Sequence, residues 1–126
     1  MNLIYKISFF VVLLSFTSKV KDCTILKNNS FTYKLGKKDV LVVFTENKHV
    51  EYHDDKKYSI KSNIEWVSDC EYYLVIEEAT LPNFPFTSGT RLHIMITKIK
   101  GSKIYYKSTM GERSWEGRMV KNKSSD

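Results

Sequence analysis

Two histidines and a glutamate recur at every second position of His49-Val50-Glu51-Tyr52-His53, with Asp55 just beyond. Successive side chains of a strand point to opposite faces, so an extended 49–53 segment sets His49, Glu51 and His53 on one face. Two imidazoles and a carboxylate form a donor set suited to zinc or copper, and Asp55 would supply a fourth ligand. The competing expectation is a solvated edge-strand face, with Val50 and Tyr52 turned inward. The third histidine, His93, has no evident route to this group.

Catalytic chemistry finds little support. Glu77 and Glu78 are neighbours in sequence, so a strand would send them to opposite faces, where they cannot act as an acid/base couple. No G-x-S-x-G nucleophile context, Gly-rich phosphate loop or C-x-x-C spacing occurs. The expectation is a non-enzymatic binding or envelope-associated module without a cofactor. Trp66 and Trp115 are candidates to line a cavity for a small apolar ligand, against the plainer reading of Trp on a strand as core filler. Phe84 and Phe86 lie in Pro82-Asn83-Phe84-Pro85-Phe86. They either tuck under one end of the fold, which is favoured, or present an apolar tip to a partner.

The chain carries 20 Lys and Arg against 14 Asp and Glu, a net charge of +6. The excess is spread rather than clustered, from Lys37-Lys38 through Lys56-Lys57 to Lys98, Lys107, Arg113 and Arg118. Lysines such as Lys98 and Lys107 also guard sheet edges. Nucleic-acid binding needs a basic stripe with exposed aromatics. Only Lys103-Ile104-Tyr105-Tyr106-Lys107 imitates that, so nucleic acid is disfavoured. An anionic envelope component is the nearer partner for an exported chain.

Several elements must position these residues. At 126 residues the chain is one domain, and 42% hydrophobic content excludes a disordered tail. Residues 1–17 open with Lys6 and an apolar run from Ile7 to Phe16. Such a run is too short for the roughly 20 residues of a membrane-spanning helix and fits a secretory signal cut before Ser18. The mature domain, 18–126, is expected to be exported, periplasmic or extracellular, with no membrane-spanning segment and a frayed tail at 121–126. Cys23 and Cys70 are then expected to pair in an oxidising compartment. Two free thiols remain an alternative. So does lipidation of Cys23, although Val20-Lys21-Asp22 lacks the small apolar residues of a lipobox.

From Phe31 onward, apolar and polar residues alternate in short runs broken by turn residues. The runs are 31–35, 40–46, 49–53, 58–62, 63–67, 70–79, 91–100, 103–110 and 112–120, and no window has a sustained helical period. The expectation is all-β, a small antiparallel meander of about eight strands closing into a barrel or sandwich. Its core is read as Phe31, Tyr33, Val42, Phe44, Ile64, Trp66, Tyr72, Leu74, Ile76, Ile94, Ile96, Ile104, Tyr106, Trp115 and Met119. Cys70 shares its face with Tyr72, Leu74 and Ile76.

The strings NNSFTYKLG and SNIEWVSDCEYYLVI, followed by the hairpin RLHIMITKIKGSKIYYKSTM after Gly89, resemble a family of short exported β-rich bacterial proteins. Its members commonly carry the label "DNA topoisomerase IV". The resemblance spans most of the chain after Cys23 and is most specific at Ile64-Glu65-Trp66 and Asp69-Cys70-Glu71-Tyr72. It implies a β-rich fold and supplies no mechanism. The label itself is physically implausible, because an exported chain this small cannot house a strand-cleaving gate. The charged 49–57 segment departs from the family's pattern.

Overall fold

In a computed structural model, which describes residues 21–123, the alternating runs become eight strands in chain order. They are β1 (Ser30–Leu35), β2 (Lys38–Phe44), β3 (Lys48–His53), β4 (Tyr58–Ser68), β5 (Glu71–Ala79), β6 (Arg91–Lys100), β7 (Lys103–Met110) and β8 (Arg113–Lys121). Each pairs antiparallel with the next, and β8 returns to β1, so the sheet closes into a barrel. The expected signal at 1–17 lies outside the described residues.

The turns follow from local residue types. Gly36 and Gly101 adopt the left-handed backbone that tight β1–β2 and β6–β7 connections require. The β3–β4 connection achieves its reversal without glycine. Asp54, Asp55 and Lys56 all take positive φ, the Lys57 N–H donates to the Asp54 carbonyl at 3.0 Å, and Lys38 pairs with the Asp54 carboxylate at 2.5 Å. Register shifts at Lys61/Ser62, Trp66/Ser68 and Ile96/Lys98 place bulges where the sheet must curve to close.

Three features of the strand reading need correction. The runs 58–62 and 63–67 form one strand, β4, because Ser62 occupies an inward position between Ile60 and Ile64 and is buried. A polar residue in that slot interrupts the apolar alternation without interrupting the strand. Cys70 lies in the β4–β5 turn, half-buried, rather than on the inward face of β5. The tail expected to fray at 121 is ordered through Asn122. Lys121 ends β8, the Asn122 N–H donates to the Ser30 carbonyl at 2.9 Å, and its side chain bonds Thr32 and Ser30.

One barrel end is plugged. A short 3-10 turn, Cys23–Leu26, is started by Asp22, whose carboxylate accepts from the Thr24 N–H, and buries Cys23 and Leu26. These pack with Phe31, Phe44, Ile96, Ile104 and Met119 into one core. Cys23 and Cys70 are joined by a disulfide across 5.2 Å between Cα atoms, tying the plug to the β4–β5 turn. Lys21 adds a hydrogen bond from Nζ to the Ile96 carbonyl at 3.1 Å.

The bridge closes a loop spanning 47 positions, for which restricting the unfolded chain predicts a stabilisation of roughly 4 kcal/mol. Replacing both cysteines by alanine is expected to lower stability by about 2–4 kcal/mol, or the thermal midpoint by roughly 10–20 °C. Thermal melts with and without reductant check this: reductant should destabilise the wild type and leave the double variant unchanged.

Candidate functional site

The His49–His53 face turns inward. β3 pairs with β2 so that Glu51 stands opposite Val42 and His49 opposite Phe44, both of which face the barrel interior. His49 and His53 are 7% and 6% exposed, while Val50 and Tyr52 lie on the outer side, half-buried. The expectation of a solvated face is therefore reversed, because closure of the sheet leaves these positions no other side. They also do not form a metal centre. Among the described residues no three His, Cys, Asp or Glu side chains are placed to hold a metal ion. His93 is on the outer surface, 2.7 Å from the Glu71 carboxylate and stacked on Tyr73.

Glu51 is the centre of the interior. Its Oε2 accepts the Tyr33 hydroxyl at 3.2 Å and stands 3.3 Å from His53 Nε2, and 21% of the side chain remains accessible, towards the cavity. Burial alone would push its carboxyl up. The His53 hydrogen bond, the histidine charges and the Tyr33 hydroxyl outweigh that and hold it below the ordinary value. Burial pushes the His49 imidazole down, with the Glu51 charge and a backbone hydrogen bond opposing. His49 packs edge-on against Phe44, and its Nδ1 has no hydrogen-bond partner.

Three tyrosines surround this group. Burial, then the Glu51 charge, pushes the Tyr106 phenol up to about 12, and burial likewise drives Tyr33 and Tyr72 upward. All three are neutral phenols at physiological pH. The Tyr106 ring lies across Gly117, its partner on β8, where an added Cβ would fall 2.5 Å from the ring. Gly117 thus makes the room that lets Tyr106 lean inward.

A central cavity of about 100 Å³ opens between Tyr33, His49, Glu51, Tyr72 and Tyr106. A second, of about 180 Å³, extends from His49, Glu51 and Leu74 to Phe84 and Phe86 at the unplugged end. A third space, also about 180 Å³, lies beyond Phe86, between Tyr106 and Trp115. Phe84 and Phe86 stack edge-to-face at 5.4 Å, and Phe86 meets Trp115 at 6.2 Å. The proline-stiffened β5–β6 loop therefore tucks its phenylalanines over the barrel mouth.

The paired tryptophans expected to share a cavity lie at opposite ends. Trp66 packs on Tyr72 near the plug, and its Nε1 donates to the Glu46 carbonyl at 2.8 Å. Trp115 is 42% exposed at the rim rather than in the core. The Tyr105-Tyr106 pair is split by strand alternation. Tyr106 faces inward, whereas Tyr105 lies outside with Lys98 over its ring at 5.6 Å, so the basic surface presents one aromatic there rather than two. Sequence reasoning missed Ser62, His49 and His53 as interior groups and Tyr106 as a cavity wall that depends on Gly117. The available signal was Gly117 itself, a glycine inside an otherwise regular strand.

No family model, curated protein or solved structure matches this chain.

Two consequences follow from the burial. The folded His49 pKa lies below its unfolded value of 6.5, so acidification protonates the unfolded chain first. Stability present above pH 6.5 is lost as pH falls, by at most about 1.4 kcal/mol per pH unit for this one group. The lowered Glu51 pKa adds a loss of the same sign below its unfolded value of 4.5. Urea midpoints measured against pH should therefore decline from pH 6.5 to 5 in the wild type and less steeply in His49→Phe, which also removes the unpartnered Nδ1. Gly117→Ala should push Tyr106 into the central cavity and cost about 1–3 kcal/mol, measurable by denaturant titration.

Proposed function

We propose that this chain is an exported, non-enzymatic barrel that binds a small, largely apolar molecule inside its unplugged end. The observation that carries the reading is the pair of cavities meeting at His49, Glu51, Leu74 and Leu92, in a barrel whose opposite end is sealed. Apolar walls with a few converging polar groups are the usual make-up of small-molecule sites, and eight-stranded barrels are wide enough to hold one such ligand.

Size narrows the class. A cavity of roughly 150 Å³ admits a benzene ring, so joined spaces of about 100 and 180 Å³ suit one ring with a short chain. Long-chain fatty acids and haem are too large unless the β5–β6 loop moves. Binding is favoured over turnover because Glu51 and His53 contact each other and Tyr33, and among the described residues no serine, threonine or cysteine is hydrogen-bonded to either. Export is supported by the apolar run of residues 7–16 and by the disulfide, since such bonds persist in oxidising compartments. Among the described residues no helix is long and apolar enough to cross a membrane.

Titration with 2-phenylethanol, followed by amide chemical shifts, tests the reading. Shifts are expected at Leu74, Phe86 and Leu92 and not around Trp66. Ser108→Leu, which fills the space beside Tyr106, should weaken binding at least tenfold while keeping a folded spectrum. Shifts scattered over the outer surface, or equal binding by the variant, would overturn it.

A further inference from the structure

We propose that the barrel selects an organic cation, with an ammonium group seated against Glu51 among the rings of Tyr33, Tyr72 and Tyr106 and a short apolar tail beneath Phe84 and Phe86. The inference rests on the small-molecule reading above and adds the charge of the ligand to it.

Glu51 is the one carboxylate lining the two meeting cavities, and no lysine or arginine lines either. Both of its hydrogen bonds fall on Oε2, at 3.2 and 3.3 Å. Charge-assisted bonds to a carboxylate ordinarily close to about 2.7–2.9 Å. A buried negative charge is thus only loosely compensated by the protein, and a cation entering the cavity would supply what is missing.

The surroundings point the same way. His49 is more than nine-tenths buried beside the same cavity, and its Nδ1 has no partner. Burial favours the neutral imidazole, so this ring does not repel a cation. Neutral tyrosine rings offer electron-rich faces, and ammonium groups are attracted to such faces when desolvated. A carboxylate ligand would meet Glu51 as a like charge. A neutral ligand would gain the apolar contacts alone. The cavity beneath Phe84 and Phe86 is walled by Ile60, Leu74 and Ile76, which accounts for a hydrocarbon tail rather than a second charge.

The test compares 2-phenylethylamine, protonated at neutral pH, with 2-phenylethanol and phenylacetate, by calorimetry and amide shifts on the wild-type chain. The amine is expected to bind at least tenfold tighter than the alcohol, and phenylacetate more weakly than both. Glu51→Gln should bring the amine-to-alcohol affinity ratio close to one, and Glu51→Asp should retain part of the preference. Equal binding of amine and alcohol to the wild type would overturn the cation assignment while leaving the small-molecule reading intact. Binding of neither would overturn both. Because the wild-type ratio decides by itself, a variant that fails to fold does not remove the test.

Discussion

Closure of the sheet rests on the β1–β8 seam, where only Phe31 with Lys121 and Thr32 with Val120 stand in register. The other seven strand pairs are longer, so this seam is the shortest join in the barrel. Without it, the sheet would have two free edges and an inner face open to water. Asn122 reinforces the seam at its end by bonding both the backbone and the side chain of Ser30 and the Thr32 hydroxyl. Phe31, fully enclosed, packs edge-to-face on Phe44 just behind it. Once the seam holds, every second residue of every strand is committed to the interior. That commitment places Glu51 inside, despite the cost of burying a carboxylate.

The two barrel ends divide the interior by solvation. At the plugged end, Leu26, Phe31, Phe44, Ile96 and Ile104 are essentially inaccessible and polar side chains are scarce. The disulfide holds the plug there, against the tendency of an N-terminal segment to fray. Towards the other end the lining changes to Tyr33, Glu51, Tyr106 and Ser108, and the packing opens into cavities. A small domain that filled this space with aliphatic side chains would gain apolar burial throughout its length. This chain instead keeps hydroxyls, imidazoles and a carboxylate there. Such a departure from dense apolar packing is where a binding site is expected.

The fold was largely legible because strand period and turn chemistry agree along the chain. Phe31, Val42, Phe44, Ile64, Tyr72, Leu74, Ile76, Ile94, Ile96, Ile104 and Met119 were assigned to the core and are buried. The plug was not legible: a four-residue 3-10 turn is too short to show a period, so Leu26 carried no signal of its burial. Trp115 misled because size and hydrophobicity favour burial, whereas its position near the start of β8 puts it at the rim. The shared face of His49, Glu51 and His53 was readable from spacing, but which side it took was not. The preceding run, Val40 to Phe44, is apolar at every position and so fixes no inward parity for its neighbour.

That parity is set by contacts distant in sequence. Val42 stands between Phe31 on β1 and Glu51 on β3, so the inward choice made at the seam passes across β2 to the carboxylate. From β3 it passes to Ser62, which lies opposite His49 and is 1% exposed. On the far side of the barrel the same alternation brings Tyr106 inward, where Gly117 yields the space its ring occupies. A one-residue slip in any of these pairings would turn Glu51 out to solvent and bring Val50 and Tyr52 in. The apolar gain of that slip at β3 is outweighed because β2, β4 and β5 would have to expose Phe44, Ile64 and Tyr72 in return. The polar cluster is thus retained by the burial of its neighbours rather than by its own hydrogen bonds. A site held in this way keeps its charge in place before any ligand arrives, which is the condition for electrostatic selection without a large rearrangement.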